Sequence, residues 1–293
     1  MKIFQKFYNP LYKIFNKTKR IFLFLYLIIY NFISRKKIIV PDSDAVVTLT
    51  SHSDRILRAF ATIESIGLGA VRPRKIILYL GNEYADKSLP RSLERLKNRG
   101  LEIEFCMDVG PHTKYFPYIQ SRSTFNCPLV TADDDKIYEK EWLEKLIGAW
   151  KNEPNLVHCF RARKIIFENG AFAAYKNWPL CADTNASFAN FATGVSGVIY
   201  PPKLLEHLKH AGLSFLYLCP KADDIWLHVN AIRNGFKIRQ LQPESKHFFG
   251  TPGSSKLALH FSNLSGGGND IQVSQTYNSN DLQILSPELI IKY

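Results

Sequence analysis

"VTADDDKIY", residues 130–138, sets three consecutive aspartates directly behind a short apolar run. Carboxylates this close repel, and each pushes its neighbours toward protonation unless a cation is held among them. The residues alone leave two readings open. One is a solvated acidic turn, since Asp favours turns for local reasons. The other is a seat for a divalent cation. "CPLVTA" (127–132) reads as a buried strand, so Asp133, Asp134 and Asp135 stand at its carboxyl end. Oxygen ligands of this kind suit Mg2+ or Mn2+, which take one or two carboxylates and leave other positions to phosphates and water. No His or Cys adjoins the triplet, which argues against zinc.

Upstream of the triplet, strand and helix patterns alternate. "AVVTLTS" (45–51) and "KIILYL" (75–80) are β-branched and apolar runs, and "LEIEFCMD" (101–108) alternates as a strand does. Between them, Ile56, Phe60 and Ile63 form one face of a helix that stops near Gly67, and Leu89, Leu93 and Leu96 form one that stops at Gly100. "EKEWLEKLIGAW" (139–150) returns to helix. This alternation predicts an α/β domain with a mainly parallel sheet, whose ligands bind beyond the carboxyl ends of the strands.

The second half is less regular. "LVHCFRARKIIF" (156–167) and "AFAAYKNW" (171–178) read as strands, and "FATGVSGVIYPPKLLEHL" (191–208) as a glycine-broken strand leading into a helix. "CPKADDIWLHVNAIRNG" (219–235) is a helix with Ile225, Val229 and Ile232 inward and the acidic pair Asp223–Asp224 at its start. Asp at a helix N-terminus is a common cap, so one acid of the pair is expected to cap and the other to be free to accept a proton. Residues 244–281, rich in Gly, Ser and Asn, are expected to be a mobile loop or lid.

Net charge is +12, yet residues 1–37 hold nine Lys and Arg and no acid, leaving about +3 for the rest, an ordinary globular balance. That weighs against a nucleic-acid partner. Inside this leader, "IFLFLYLIIYNFIS" (21–34) would run roughly 21 Å as a helix, short of the roughly 30 Å of a bilayer core. Its aromatic and aliphatic residues among Lys and Arg suit a helix lying on an anionic membrane surface. A short anchor and a helix packed in the core remain open. Five scattered cysteines without CxxC spacing point to a reducing, cytoplasmic setting. No GxxxxGK and no GxSxG is present.

A strand-end acidic triplet followed by a helix-start acidic pair resembles the nucleotide-sugar glycosyltransferases of the GT-A fold, of the glycosyltransferase family 2 type. "VTLTSHSDRI" (47–56) resembles the family's first strand and nucleotide-contacting turn, and "MDVGPHTKYFPYI" (107–119) the segment leading to its "DxD" strand. "TADDDKIYEKEWLEKLIGAWKNEPNLVHCFRAR" (131–163) also looks like the matching part of exostosin-type transferases. The likeness spans about residues 44–245.

It implies a single GT-A, Rossmann-like domain over 45–245, with a nucleotide-sugar half (45–135) and an acceptor half (136–245). Residues 1–37 would be a membrane-associating leader, 38–44 a linker, and 246–293 a flexible lid and tail. Carried over residue by residue, Asp133 and Asp135 would bind Mn2+ or Mg2+, and Asp134 the donor's ribose or sugar. Asp224 would deprotonate the acceptor hydroxyl, with Asp223 orienting the sugar or capping the helix. Thr50, Arg55, Asp108 and Lys114 would serve the donor, a UDP-sugar being favoured, and His247 or His260 would complete the metal shell. The acceptor would be a glycan or a lipid-linked glycan.

The chain lacks the later "QxxRW"-like motif of many relatives, which argues against a processive synthase. Arg161 and Arg163 flank Ala162 on a strand and face either the crevice or water. A non-catalytic binding module, a membrane-anchored scaffold and a nucleotidyltransferase all stay compatible with the residues.

Overall fold

The computed structural model describes residues 2–168, 170–253, 268–288 and 290–292. A 32-residue helix, α1 (Lys2–Ile33), precedes the first strand. Then β1 (Val46–Thr50), α2 (Ile56–Gly67), β2 (Lys75–Gly81), α3 (Arg91–Lys97) and β3 (Leu101–Cys106) follow in turn. A short helix, α4 (Phe116–Gln120), leads to β4 (Leu129–Thr131). These four strands lie parallel in the order β3-β2-β1-β4. Helices cover the sheet, so β1 and β2 are buried on both faces, as central parallel strands are.

After the triplet come β5 (Lys136–Ile137), α5 (Trp142–Asn152) and β6 (Val157–Cys159). The run expected as one strand over 156–167 is broken. Past Cys159 the chain leaves the main sheet, and β7 (Ala162–Lys164) and β8 (Ile166–Glu168) find other partners. β8 pairs with β9 (Ala171–Phe172), and β7 with β10 (Asn190–Ala192). β11 (Val198–Tyr200) re-enters the main sheet between β4 and β6, antiparallel to both. Gly197 makes that entry possible. Its φ is +94°, and a Cβ there would lie 2.6 Å from the Trp142 ring.

Helices α6 (Pro202–Ala211), α7 (Phe215–Leu218) and α8 (Asp223–Arg233) precede β12 (Ile238–Gln240), which closes the seven-stranded order β12-β6-β11-β4-β1-β2-β3. The mainly parallel central sheet expected from the sequence is present. Its order reverses between β1 and β4, and the crevice beyond their carboxyl ends is where an open α/β sheet binds its ligand.

Two expectations change. The segment read as a mobile loop contains helices Gly268–Thr276 and Ser279–Leu285, packed on α8. Val273, Tyr277 and Leu285 share its core, and Arg233 pairs with Asp281 at 2.7 Å. Residues 254–267, with His260, lie outside the described residues.

The leader is no separate appendage either. Leu27 is buried, with Leu23 and Phe24 packed beside it, and Phe24 meets Phe60 of α2 at 5.8 Å. Asn31 donates to Glu64 Oε1 at 2.8 Å and to the Ser92 carbonyl at 3.1 Å, while Arg95 donates back to Asn31 Oδ1. Glu64 itself is fully buried against Arg99, at 2.5 and 3.0 Å. Residues 38–44 continue this attachment: Ile38 is buried, and its N–H reaches the Arg99 carbonyl at 3.0 Å. The opposite face of α1 leaves Phe22, Leu25, Ile29, Phe32 and Ile33 exposed. No described helix is long and apolar enough to cross a membrane.

Candidate active site

The triplet begins two residues beyond β4, at the point where the sheet order reverses. Asp134 turns inward and is 3% exposed. It accepts from Ser51 Oγ at 2.5 Å, just beyond β1, and from Arg55, whose guanidinium grips both of its oxygens. Its carbonyl accepts from Thr62 of α2 at 2.8 Å. Asp134 and Arg55 therefore form a strut between the β1 and β4 ends, with Lys114 and Lys136 beside the flanking acids. Asp133 takes Lys114 Nζ at 2.6 Å, and its N–H donates to the Tyr138 hydroxyl at 3.0 Å. Asp135 Oδ2 lies 3.5 Å from Arg55.

Asp135 Oδ1 is buried and accepts no hydrogen bond, although Lys136 Nζ is 3.3 Å away. Burial and the neighbouring Asp133 raise the Asp135 pKa above the usual carboxylate range, against the pull of Lys136 and Arg55. Burial also works against Asp133 ionising, but Lys114 outweighs it and holds that pKa below the usual range. A buried carboxylate oxygen without a donor is an energetic cost that a cation would remove.

Lys114 ties this corner to the second acidic pair. It ends the tight turn Gly110–Lys114, with Nζ 3.6 Å from Asp223 Oδ2. Asp108, assigned to the donor by resemblance, anchors that turn through the Gly110 N–H at 2.8 Å and Thr113 Oγ1 at 3.1 Å. His112 clips it to the chain ahead of α8. Its Nε2 donates to the Cys219 carbonyl at 2.8 Å, leaving Nδ1 to accept from the Tyr115 hydroxyl at 2.9 Å. Burial lowers the His112 pKa, consistent with that neutral form.

Neither Asp223 nor Asp224 caps α8, for its N-cap residue is Ala222. Asp224 Oδ1 instead accepts from the Gly194 N–H at 2.9 Å. Burial, then the charge of Asp223, pushes the Asp224 pKa up to about 8, despite Lys114 and the Gly194 hydrogen bond. Gly194, in the sequence one of the glycines that break the strand over 191–208, is thus a site residue. A Cβ there would sit 3.1 Å from Asp224 Oδ1 and 3.5 Å from Lys114 Nζ. Ser51, Tyr138 and Lys136 were not singled out, because only the fold brings or turns them to the acids.

Lys114→Met is expected to cost about 3–5 kcal/mol at pH 7, since it leaves buried carboxylates without their cation. The loss should shrink at pH 3, as the pH falls toward the lowered pKa of Asp133 and its ion pair with Lys114 weakens. Urea unfolding at the two pH values measures both quantities.

Thr50 donates to the Tyr79 carbonyl at 3.0 Å, so its hydroxyl proton is committed to the sheet. His247 is exposed, and burial, then Arg161 and Lys136, lower its pKa. Among the described residues no group of three His, Cys, Asp or Glu is arranged to hold a metal. Asp133, Asp135 and His247 thus do not form a protein cage. The donor set fits a hard divalent cation shared with a ligand's phosphates: two carboxylates, one with an oxygen lacking any hydrogen bond.

Solved structures resemble this arrangement of strands. The mannosyltransferase PcManGT of Pyrobaculum calidifontis, in complex with GDP-Man and Mn2+, matches with a TM-score of 0.50 at 10% identity, over 93% of this chain and 77% of that one. The fold is of the GT-A type. TarS of S. aureus, residues 1–349, gives a TM-score of 0.48 at 13% identity, over 83% of this chain and 69% of its own. The 4-diphosphocytidyl-2C-methyl-D-erythritol synthase of Anaerococcus prevotii gives 0.49 at 13% identity, over 78% and 96%. No protein-family model and no curated protein matches the sequence. In this GT-A domain Lys114 joins Asp133 of the triplet to Asp223 of α8.

Proposed function

We propose that the protein is a glycosyltransferase that moves a sugar from a nucleoside-diphosphate donor, a UDP-sugar being favoured, to a saccharide or lipid-linked glycan, in surface polysaccharide or glycolipid synthesis. The observation that carries this reading is the pairing of two unlike acidic sites across Lys114. One, at Asp133 and Asp135, has a carboxylate oxygen that accepts no hydrogen bond. The other, Asp224, has a pKa of about 8 and is suited to take a proton near neutral pH. Mn2+ accompanies the nucleotide sugar in the P. calidifontis neighbour, which supports a divalent ion here.

Asp133 and Asp135 would hold Mn2+ or Mg2+, which when bound neutralises charge building on the diphosphate as the glycosidic bond breaks. The Arg55–Asp134 strut keeps the two outer acids apart and fixed. Lys114 supplies a permanent positive charge beside the diphosphate. The Gly194 N–H aims Asp224 at the acceptor side, where it removes the hydroxyl proton if the reaction inverts. The exposed apolar face of α1 and the basic residues around it support attachment to an anionic membrane surface.

A thermal-shift panel on the full chain tests the donor site, using UDP, GDP, CDP and dTDP, each with and without Mn2+. A nucleotide at a hundred times its dissociation constant should add about 2.7 kcal/mol. One nucleotide is expected to stabilise the protein only with Mn2+, and Asp135→Asn to abolish the effect. No shift with any of the four would end the reading.

A further inference from the structure

A charged arginine pulled out of water is met by a carboxylate or by carbonyl oxygens, and Arg72 and Arg74 donate to the carbonyls of Lys37 and Ser43. Arg55 has Asp134, Arg99 has Glu64, Arg233 has Asp281 and Arg239 has Glu153. Arg161 and Arg163 form no ion pair among the described residues, and the stretch 254–267 contains no Asp or Glu in its sequence. Both are half-buried, and the Nε of each is buried without an acceptor. Arg161 Nη1 donates to Thr193 Oγ1 at 2.7 Å, and Arg163 Nη1 to the Trp178 carbonyl. Two residues apart in extended chain, they point to the same side, and their charges oppose one another.

Their position gives the cluster a use. The Arg161 carbonyl accepts from the Thr193 N–H at 3.0 Å, and the next residue, Gly194, holds Asp224. Arg161 is thereby anchored one residue from the carboxylate assigned to the acceptor hydroxyl. Lys136 adds to the positive side of this region, and after burial it joins Arg161 in lowering the pKa of His247. The Tyr175 ring, 5.2 Å from the Arg163 guanidinium, offsets part of that charge. Half-buried cations without a carboxylate nevertheless remain costly, and a guanidinium fork binds a carboxylate or a phosphate through two parallel hydrogen bonds.

We infer that Arg161 and Arg163 form an anion subsite for the acceptor, so that the accepting molecule carries a carboxylate or phosphate close to the hydroxyl that receives the sugar. This rests on the glycosyltransferase reading for the word acceptor, while the anion site itself does not.

Saturation-transfer NMR on the full chain tests it with three probes: methyl β-D-glucuronide, glucose 6-phosphate and methyl β-D-glucoside. Each is measured alone and with UDP and Mn2+. At least one anionic probe should bind wild type while the neutral glucoside does not, and the one that binds names the anion. Arg161→Gln should weaken that binding at least tenfold. Arg161→Lys, which keeps the charge and loses the fork, should fold as wild type does and weaken it in the same direction. The UDP–Mn2+ thermal shift should be the same in all three proteins. Equal binding of glucuronide and glucoside, no binding of either anion, or unchanged binding in both Arg161 variants would overturn the proposal. So would loss of the UDP–Mn2+ shift in the folded Arg161→Lys protein, which would give the arginine to the donor. Failure of every nucleotide to bind wild type would instead strike the glycosyltransferase reading, and the anion probes without nucleotide would still report on the subsite.

Discussion

Asp224→Asn is expected to lower the rate of sugar transfer by about 10²–10⁴-fold, the usual share of a general base, while leaving the metal-dependent nucleotide shift intact. The amide oxygen of asparagine can still accept from the Gly194 N–H, so the fold at that point should persist. The pH dependence gives a second signature. With its pKa near 8, Asp224 is neutral at lower pH and becomes a competent base as pH rises. For wild type, kcat/KM should climb with pH and level off above about 8, and the asparagine variant should lose that limb. Stability runs the other way. The folded state holds this proton more tightly than the unfolded chain does, so the contribution is complete below about pH 4 and is lost as pH rises through about 8. Urea midpoints at pH 6 and 9 should therefore differ more in wild type than in the variant. Retention of full transfer activity by Asp224→Asn would remove it from the base role.

Deleting residues 1–34 should carry the largest effect on stability. The cut strips Leu27, Leu23 and Phe24 from α2 and α3 and takes Asn31 from Glu64. At about 1.5–3 kcal/mol for each large apolar side chain fully buried, the loss is about 5 kcal/mol. Whole domains are stable by only about 5–15 kcal/mol. The shortened protein is expected to unfold at far lower urea, or not to accumulate folded. Phe22→Ser and Ile29→Ser, on the outward face, should change stability by no more than about 0.5 kcal/mol. An equal urea midpoint for the shortened and full chains would show that α1 does not belong to the fold.

What the sequence disclosed, and what it hid, follows from how far each interaction reaches along the chain. The acidic triplet was legible because an apolar strand pattern leads straight into it, and the crevice position follows from strand–helix alternation. The partners were not. Arg55 meets Asp134 across 79 residues, and Gly194 meets Asp224 across 30, with no local pattern to announce either. One of Asp223 and Asp224 was expected to cap the helix, but neither does, and Asp224 is taken by a backbone amide from elsewhere. In the leader, Leu23, Leu27 and Asn31 are spaced four apart as a docking stripe. Apolar residues on the opposite face concealed it, and Asn31, polar within an apolar run, was its one sign. Near the C-terminus, Gly, Ser and Asn suggested a loop, although Asn278 and Asp281 form a capping box that starts a helix.

The attachment of α1 also bears on geometry. At 1.5 Å per residue the helix is about 48 Å long, and Asn31, Arg95 and Glu64 lock its C-terminal part to the domain. An enzyme on a slack tether samples every tilt, whereas one resting on a helix built into its own core has a single bearing. If the outward face of α1 lies on a bilayer, the mouth of the crevice rides at a constant height above it. Acceptor chains would then be sorted by length before any residue reads their chemistry, with the helix setting the gauge.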